Sequence, residues 1–165
     1  MIPLFLGLTL VNLICLSLAT VLGFFRPGPM HVLFGALAAL VCVGVHCVVF
    51  TYFIATAKWA QHAIAVKKLD EALARPTRSF KMQAFPAAVC AMGTTFAAAM
   101  LGAALDNRMG SKQLHLWAAW AAVAVNLIVA IIEYRAISRN GRLIDSILER
   151  INVPTDVPEN QTPPP

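Results

Sequence analysis

The chain of 165 residues is 59% hydrophobic and 13% charged, against about 25% charged residues in an ordinary soluble domain, and its mean hydropathy is +0.71. That balance excludes a water-soluble globular enzyme and implies an all-α polytopic membrane protein with length for one helical bundle. The net charge of +5 does not call for nucleic acid, because most basic residues flank apolar segments, where topology accounts for them.

The first predicted span, about residues 4–24, is apolar apart from Asn12, Ser17 and a few threonines. It lacks the basic leader and short apolar core of a secretory signal, so it is expected to stay as a first helix. Arg26-Pro27-Gly28-Pro29 then reverses the chain, proline being unable to continue a helix. The second span, about 31–58, ends at Lys58-Trp59, a cation beside an indole of the kind found where hydrocarbon meets headgroups. Its helix is expected to continue as an amphipathic extension through Leu73. A basic turn at Arg75-Pro76-Thr77-Arg78-Ser79 precedes the third span, about 83–105. That span is rich in Ala and Gly, which in lipid favours close helix packing at the centre of a bundle. After the polar turn at 106–111 comes the fourth span, about 114–135, with helix to Arg139 and a stop expected at Asn140-Gly141. The transmembrane domain therefore covers 1–139. Leu143, Ile144, Ile147, Leu148 and Ile151 recur at helical spacing and predict a separate amphipathic helix over 142–152, and the proline-rich 153–165 predicts a disordered tail.

Four spans place both termini on one side, together with Lys58, Lys67, Lys68, Arg75, Arg78, Lys81, Arg135, Arg139, Arg142 and Arg150. Only Arg26, Arg108 and Lys112 fall on the other. This asymmetry predicts a multi-pass protein of a bacterial inner membrane with cytoplasmic N- and C-termini and cytoplasmic helical extensions.

Polar residues cluster near the middle of the spans: Asn12, His46, Thr94, Thr95 and Asn126. As a midplane layer they would act as interhelical hydrogen-bond glue, each bond worth roughly 0.5–2 kcal/mol. The sharper alternative is a haem or quinone site. Haem b needs two axial ligands at matching depth on facing helices. His31 and His115 meet the depth condition, each starting a span on the same side; His46 has Met92 as its only nearby candidate. His31 and His46 are separated by about 22 Å of helical rise, two levels of a membrane. Cys42 and His46 share a helix face, but no CxxC, CxxCH or HExxH accompanies them, so no metal site is predicted. Cys15, Cys42, Cys47 and Cys90 fall inside spans and are read as small apolar side chains, not disulfide partners.

Lys58 and Glu133, in the last turns of helices descending in the same direction, are expected to form an ion pair at the inner membrane edge. Ile144, Ile147, Leu148 and Ile151 form a stripe expected to dock a partner protein or the membrane surface. No paired-carboxylate, phosphate-loop or nucleophile constellation is present, so no enzyme activity is predicted; Asp70-Glu71 read as a solvated helix face. The function that fits best is a structural, assembly or regulatory subunit of a larger membrane complex, in contact with lipid and a protein partner, with self-association open. The alternatives are a b-type haem or quinone-binding redox anchor and, third, a small transporter or channel component.

Overall fold

The computed structural model describes residues 1–106 and 109–152; the tail expected over 153–165 lies outside them. The described chain forms α1 (Ile2–Phe25), α2 (Pro29–Val66), a short 3-10 helix (Glu71–Ala74), α3 (Arg75–Asp106) and α4 (Lys112–Asn152). Each α-helix is long and apolar enough to cross a membrane. Successive helices run up and down beside one another, α4 closes against α1, and α2 and α4 meet across the diagonal.

Prolines mark the starts. Pro3 and Pro29 occupy the first turns of α1 and α2, where the missing N–H has no intrahelical partner to lose. Pro76 does the same for α3, which begins at Arg75, well before the boundary expected at 83. The basic segment read as a turn is thus the opening of a helix. The reversal lies earlier: α2 ends at Val66, Lys68 adopts φ 52, and Asp70 accepts a bond from the Ala72 amide at 2.8 Å to start the 3-10 helix. A second expectation also needs correction. α4 runs unbroken through Asn140-Gly141 to Asn152, because Asn140 is held inside the bundle by a 2.9 Å bond from its Nδ2 to Thr56 Oγ1. The amphipathic helix over 142–152 is the last part of α4.

The exterior is apolar, unlike that of a soluble protein, and the interior mixes apolar with polar side chains. Large apolar residues such as Leu40, Val89, Met100 and Ile128 face outward, while Asn12, His46, Thr95, Asn126, Glu133 and Asn140 are buried. One apolar core joins Phe5, Val45, Val49, Phe53, Ala84 and Ile137. The fully buried Ala84, Ala88 and Ala91 on α3 are small enough for neighbouring backbones to approach closely.

Beyond Phe53 and Ile137, at the end of the bundle, Ile147 is fully buried against Ala60 and Ile64, with Leu69, Leu73, Ile144 and Ile151 around them. Three of the four residues expected to dock a partner therefore seal the protein's own end, and only Leu148 remains exposed. The extension of α2 contributes its Ala60-Ile64 face, whereas Trp59 and Val66 point outward.

α2 and α4 run in a constant register across the diagonal. Cys42 meets Asn126 and Thr56 meets Asn140, each pair 84 residues apart, and His31 faces His115 in the same register. Ala38, Val45, Ala122 and Val129 on the same two helices are all buried. α1 and α3 flank this diagonal, each packed against both α2 and α4.

Candidate functional site

The His31 end carries the most organised constellation. His31 Nδ1 donates to the carbonyl of Ala19 on α1 at 2.8 Å, and His115 Nδ1 donates to the carbonyl of Ala98 on α3 at 3.0 Å. Both hydrogen bonds fix the same tautomer, with the proton on Nδ1 and Nε2 left as an acceptor. Each ring rests on a glycine one turn along that helix. A Cβ on Gly23 would lie 2.6 Å from His31 Cε1, and one on Gly102 would lie 3.0 Å from His115 Cε1, so a side chain at either place must displace the imidazole. The rings meet with centroids 5.8 Å apart.

A cavity of about 1100 Å³ surrounds this pair, just above the usual range of about 300–1,000 Å³ for small-molecule and cofactor sites. Small residues on all four helices make the space: Gly23, Gly35, Gly102 and Ala119 among them, with Lys112 beside the first turn of α4 and Thr95 at the far end. Sequence reasoning put His31 and His115 at one depth but missed Gly23 and Gly102. The available signal was the matching Ala19-Thr20-Val21-Leu22-Gly23 and Ala98-Ala99-Met100-Leu101-Gly102, each on the helix before a histidine-bearing one.

Beyond the cavity lies the polar layer. Asn126 Oδ1 accepts from Asn12 Nδ2 at 3.0 Å and from Cys42 Sγ at 3.4 Å; Asn126 Nδ2 donates to Thr95 Oγ1 at 3.1 Å and to the Ala122 carbonyl at 2.9 Å. One amide thus ties all four helices together. Of the expected layer, Asn12, Thr95 and Asn126 are joined directly. Thr94 bonds only the Cys90 and Ala91 carbonyls of its own helix. His46 lies one turn further along α2.

His46 Nδ1 donates to Glu133 Oε1 at 2.8 Å, with both residues buried. The expected Lys58–Glu133 pair does not form: Lys58 is exposed, and the His46–Glu133 contact is the only ion pair among the described residues. The reason is depth as well as rotation: Glu133 lies at the level of His46, about 18 Å of helical rise before Lys58 on α2, and Lys58 faces outward. His46 Nε2 is buried without a hydrogen-bond partner, as are Thr9 Oγ1, Asn12 Oδ1, Ser138 Oγ and Asn140 Oδ1. Met92, the ligand considered for His46, is half-buried on α3, while the imidazole engages Glu133.

Among the described residues no three His, Cys, Asp or Glu side chains come together as a site for a bare metal ion. Comparison with protein-family models, curated proteins and solved structures gives no match. The chemistry of the site is therefore read from its geometry: two tautomer-fixed imidazoles facing each other across a glycine- and alanine-lined cavity.

Proposed function

We propose that this chain is a four-span bacterial inner-membrane protein that holds one b-type haem between His31 and His115 and carries electrons as the membrane subunit of a larger redox complex. Four apolar helices with an apolar exterior and some polar side chains confined to the interior support insertion in a bilayer. The basic residues concentrated at the Ile147 end support cytoplasmic termini, which gives the His31 end to the opposite side.

The observation that carries the cofactor is the paired arrangement of His31 and His115. Histidines that ligate a metal characteristically donate the other ring N–H to a carbonyl or carboxylate, and here both do so to helix carbonyls. A ring separation of 5.8 Å is of the size needed for one metal atom bonded to both rings at about 2 Å per bond. Two imidazoles alone are a poor set for a bare ion, which takes four or more ligands; they are a complete axial set for haem, whose macrocycle supplies the rest. The surrounding cavity has room for such a macrocycle, and Lys112 at its lining offers a cation to carboxylate substituents. When bound, the haem would supply one-electron chemistry. The chain's own part is to hold the two rings, exclude water with small apolar residues and set the depth of the site.

The test is a visible spectrum of the full chain purified from haem-sufficient cells, oxidised and dithionite-reduced. A Soret band with a reduced α-band is expected, and His31→Ala and His115→Ala should each remove the six-coordinate signature. A featureless spectrum would overturn the redox assignment in favour of a cofactor-free structural or assembly subunit. A band that survives both changes and disappears with His46→Ala would move the ligation to His46 and Met92.

A further inference from the structure

We propose that the buried polar file along the α2–α4 diagonal is a proton path between the cytoplasmic end of the bundle and the His31–His115 cavity, with His46 and Glu133 as its relay. In order from the cavity, the file consists of Thr95, the Cys42–Asn126 contact, the His46–Glu133 pair and the Thr56–Asn140 contact; between the last two, Val49, Phe53 and Ile137 are packed, and the step from Glu133 to Asn140, about 10 Å of rise, is left to water held by Ser138 Oγ and Asn140 Oδ1. From Cys42 to Thr56 the helical rise is about 21 Å, most of the way across a hydrocarbon layer of about 30 Å. Thr56 is half-buried and lies just before Lys58 and Trp59, both exposed, which mark the headgroup level. The far end opens on the cavity through Thr95.

Three properties separate this file from hydrogen-bonding glue. Glue needs amides and hydroxyls, yet the centre here is an ionisable pair, and burying such a pair in a membrane is costly without a use for the charge. Secondly, the buried atoms His46 Nε2, Asn12 Oδ1, Thr9 Oγ1, Ser138 Oγ and Asn140 Oδ1 lack partners. Buried polar atoms of this kind are the usual partners of internal water, and a chain of such waters would join the side-chain steps. Thirdly, no fixed charge blocks the way: Lys58, Arg135 and Arg139 on the same two helices are exposed, and on α1 and α3 the titratable residues near this depth are the thiols Cys15, buried, and Cys90, exposed.

The relay step balances within the pair. A proton arriving at Nε2 forms the imidazolium; the Nδ1 proton passes to Glu133 Oε1, leaving neutral imidazole and a carboxylic acid; Glu133 then releases its proton toward Asn140 and Thr56. Transfer in the other direction reverses these steps. Exchange of the proton between ring nitrogens through the file's waters restores the starting tautomer, and nothing is consumed. The path does not require the haem. If haem occupies the cavity, the same file brings a compensating proton toward it when it is reduced.

The full chain, reconstituted in liposomes loaded with pyranine and driven by a potassium gradient with valinomycin, tests the path without reference to any cofactor. Proton entry should exceed that of protein-free liposomes at least tenfold. Glu133→Gln and Asn140→Leu should each return it to background, and Lys58→Ala should leave it unchanged. Wild-type flux at the protein-free level, or Glu133→Gln and Asn140→Leu flux equal to wild type, would overturn the path. Size-exclusion chromatography of the variants separates a blocked path from a lost bundle, and the wild-type comparison decides the matter even if a variant fails to fold. The haem assignment stands or falls separately, on the spectrum.

Discussion

Glu133 on α4 lies 2.8 Å from His46 Nδ1 on α2, deep in the bundle, while Lys58 three turns further along α2 is exposed. This pairing moves the one buried carboxylate among the described residues from the edge of the apolar region into its interior. It also makes the stability of the two residues interdependent.

His46→Leu and Glu133→Leu should each lower stability by about 3–5 kcal/mol, because the remaining partner is left buried and unpaired. The double Leu variant should recover most of that loss, since apolar replacement of a buried pair is often neutral or better. Lys58→Ala should change stability by less than about 0.5 kcal/mol. Thermal unfolding in detergent measures all four. A Lys58→Ala defect equal to that of Glu133→Leu would restore the edge ion pair.

Gly23 and Gly102 should be intolerant of side chains for a reason tied to the histidines. Gly23→Ala places a methyl group 2.6 Å from His31 Cε1, tighter than the 3.0 Å contact at His115 from Gly102→Ala. Haem content per protein should fall in both variants and fall further in Gly23→Ala. Gly7→Ala, where a Cβ meets nothing within 4 Å, should retain the full content. Equal haem loading in Gly23→Ala and Gly7→Ala would remove the steric link.

The apolar stripe on the last turns of α4 should behave as core and not as a docking surface. Ile147→Ala should cost about 2–5 kcal/mol, the usual range for emptying a buried aliphatic site, whereas Leu148→Ala, on the exposed side, should cost less than about 0.5 kcal/mol. Unfolding midpoints of the two variants distinguish them, and near-equal midpoints would show that the Ile147 contact contributes nothing.

Orientation is expected to follow the basic residues. Reporter fusions at the C-terminus and within residues 67–78 should register cytoplasm, and fusions within 27–30 or 107–112 should register the opposite side. A cytoplasmic signal at 107–112 would contradict a four-span topology.

Helix number, the approximate span limits and the shared depth of His31 and His115 are local properties of the sequence. Runs of apolar residues and the punctuation by Pro27-Gly28-Pro29 are enough to read them. Punctuation misled only where tertiary contacts override it: Pro76 opens α3 instead of ending a turn, and Asn140, bonded to Thr56, keeps α4 continuous. Partner choice was not legible in the same way. In a soluble helix the apolar stripe reveals the inward face, but here both faces are apolar, since lipid and bundle interior favour similar side chains. The register and rotation of α2 and α4, which bring Glu133 to His46 while Lys58 lies about 18 Å of rise further along and faces outward, are therefore set by packing across the bundle. So is the seating of His31 on Gly23 and His115 on Gly102, because a glycine in an apolar helix signals close approach without saying to what. The tertiary structure decided these relationships through helix register and rotation, which no single helix carries in its own pattern.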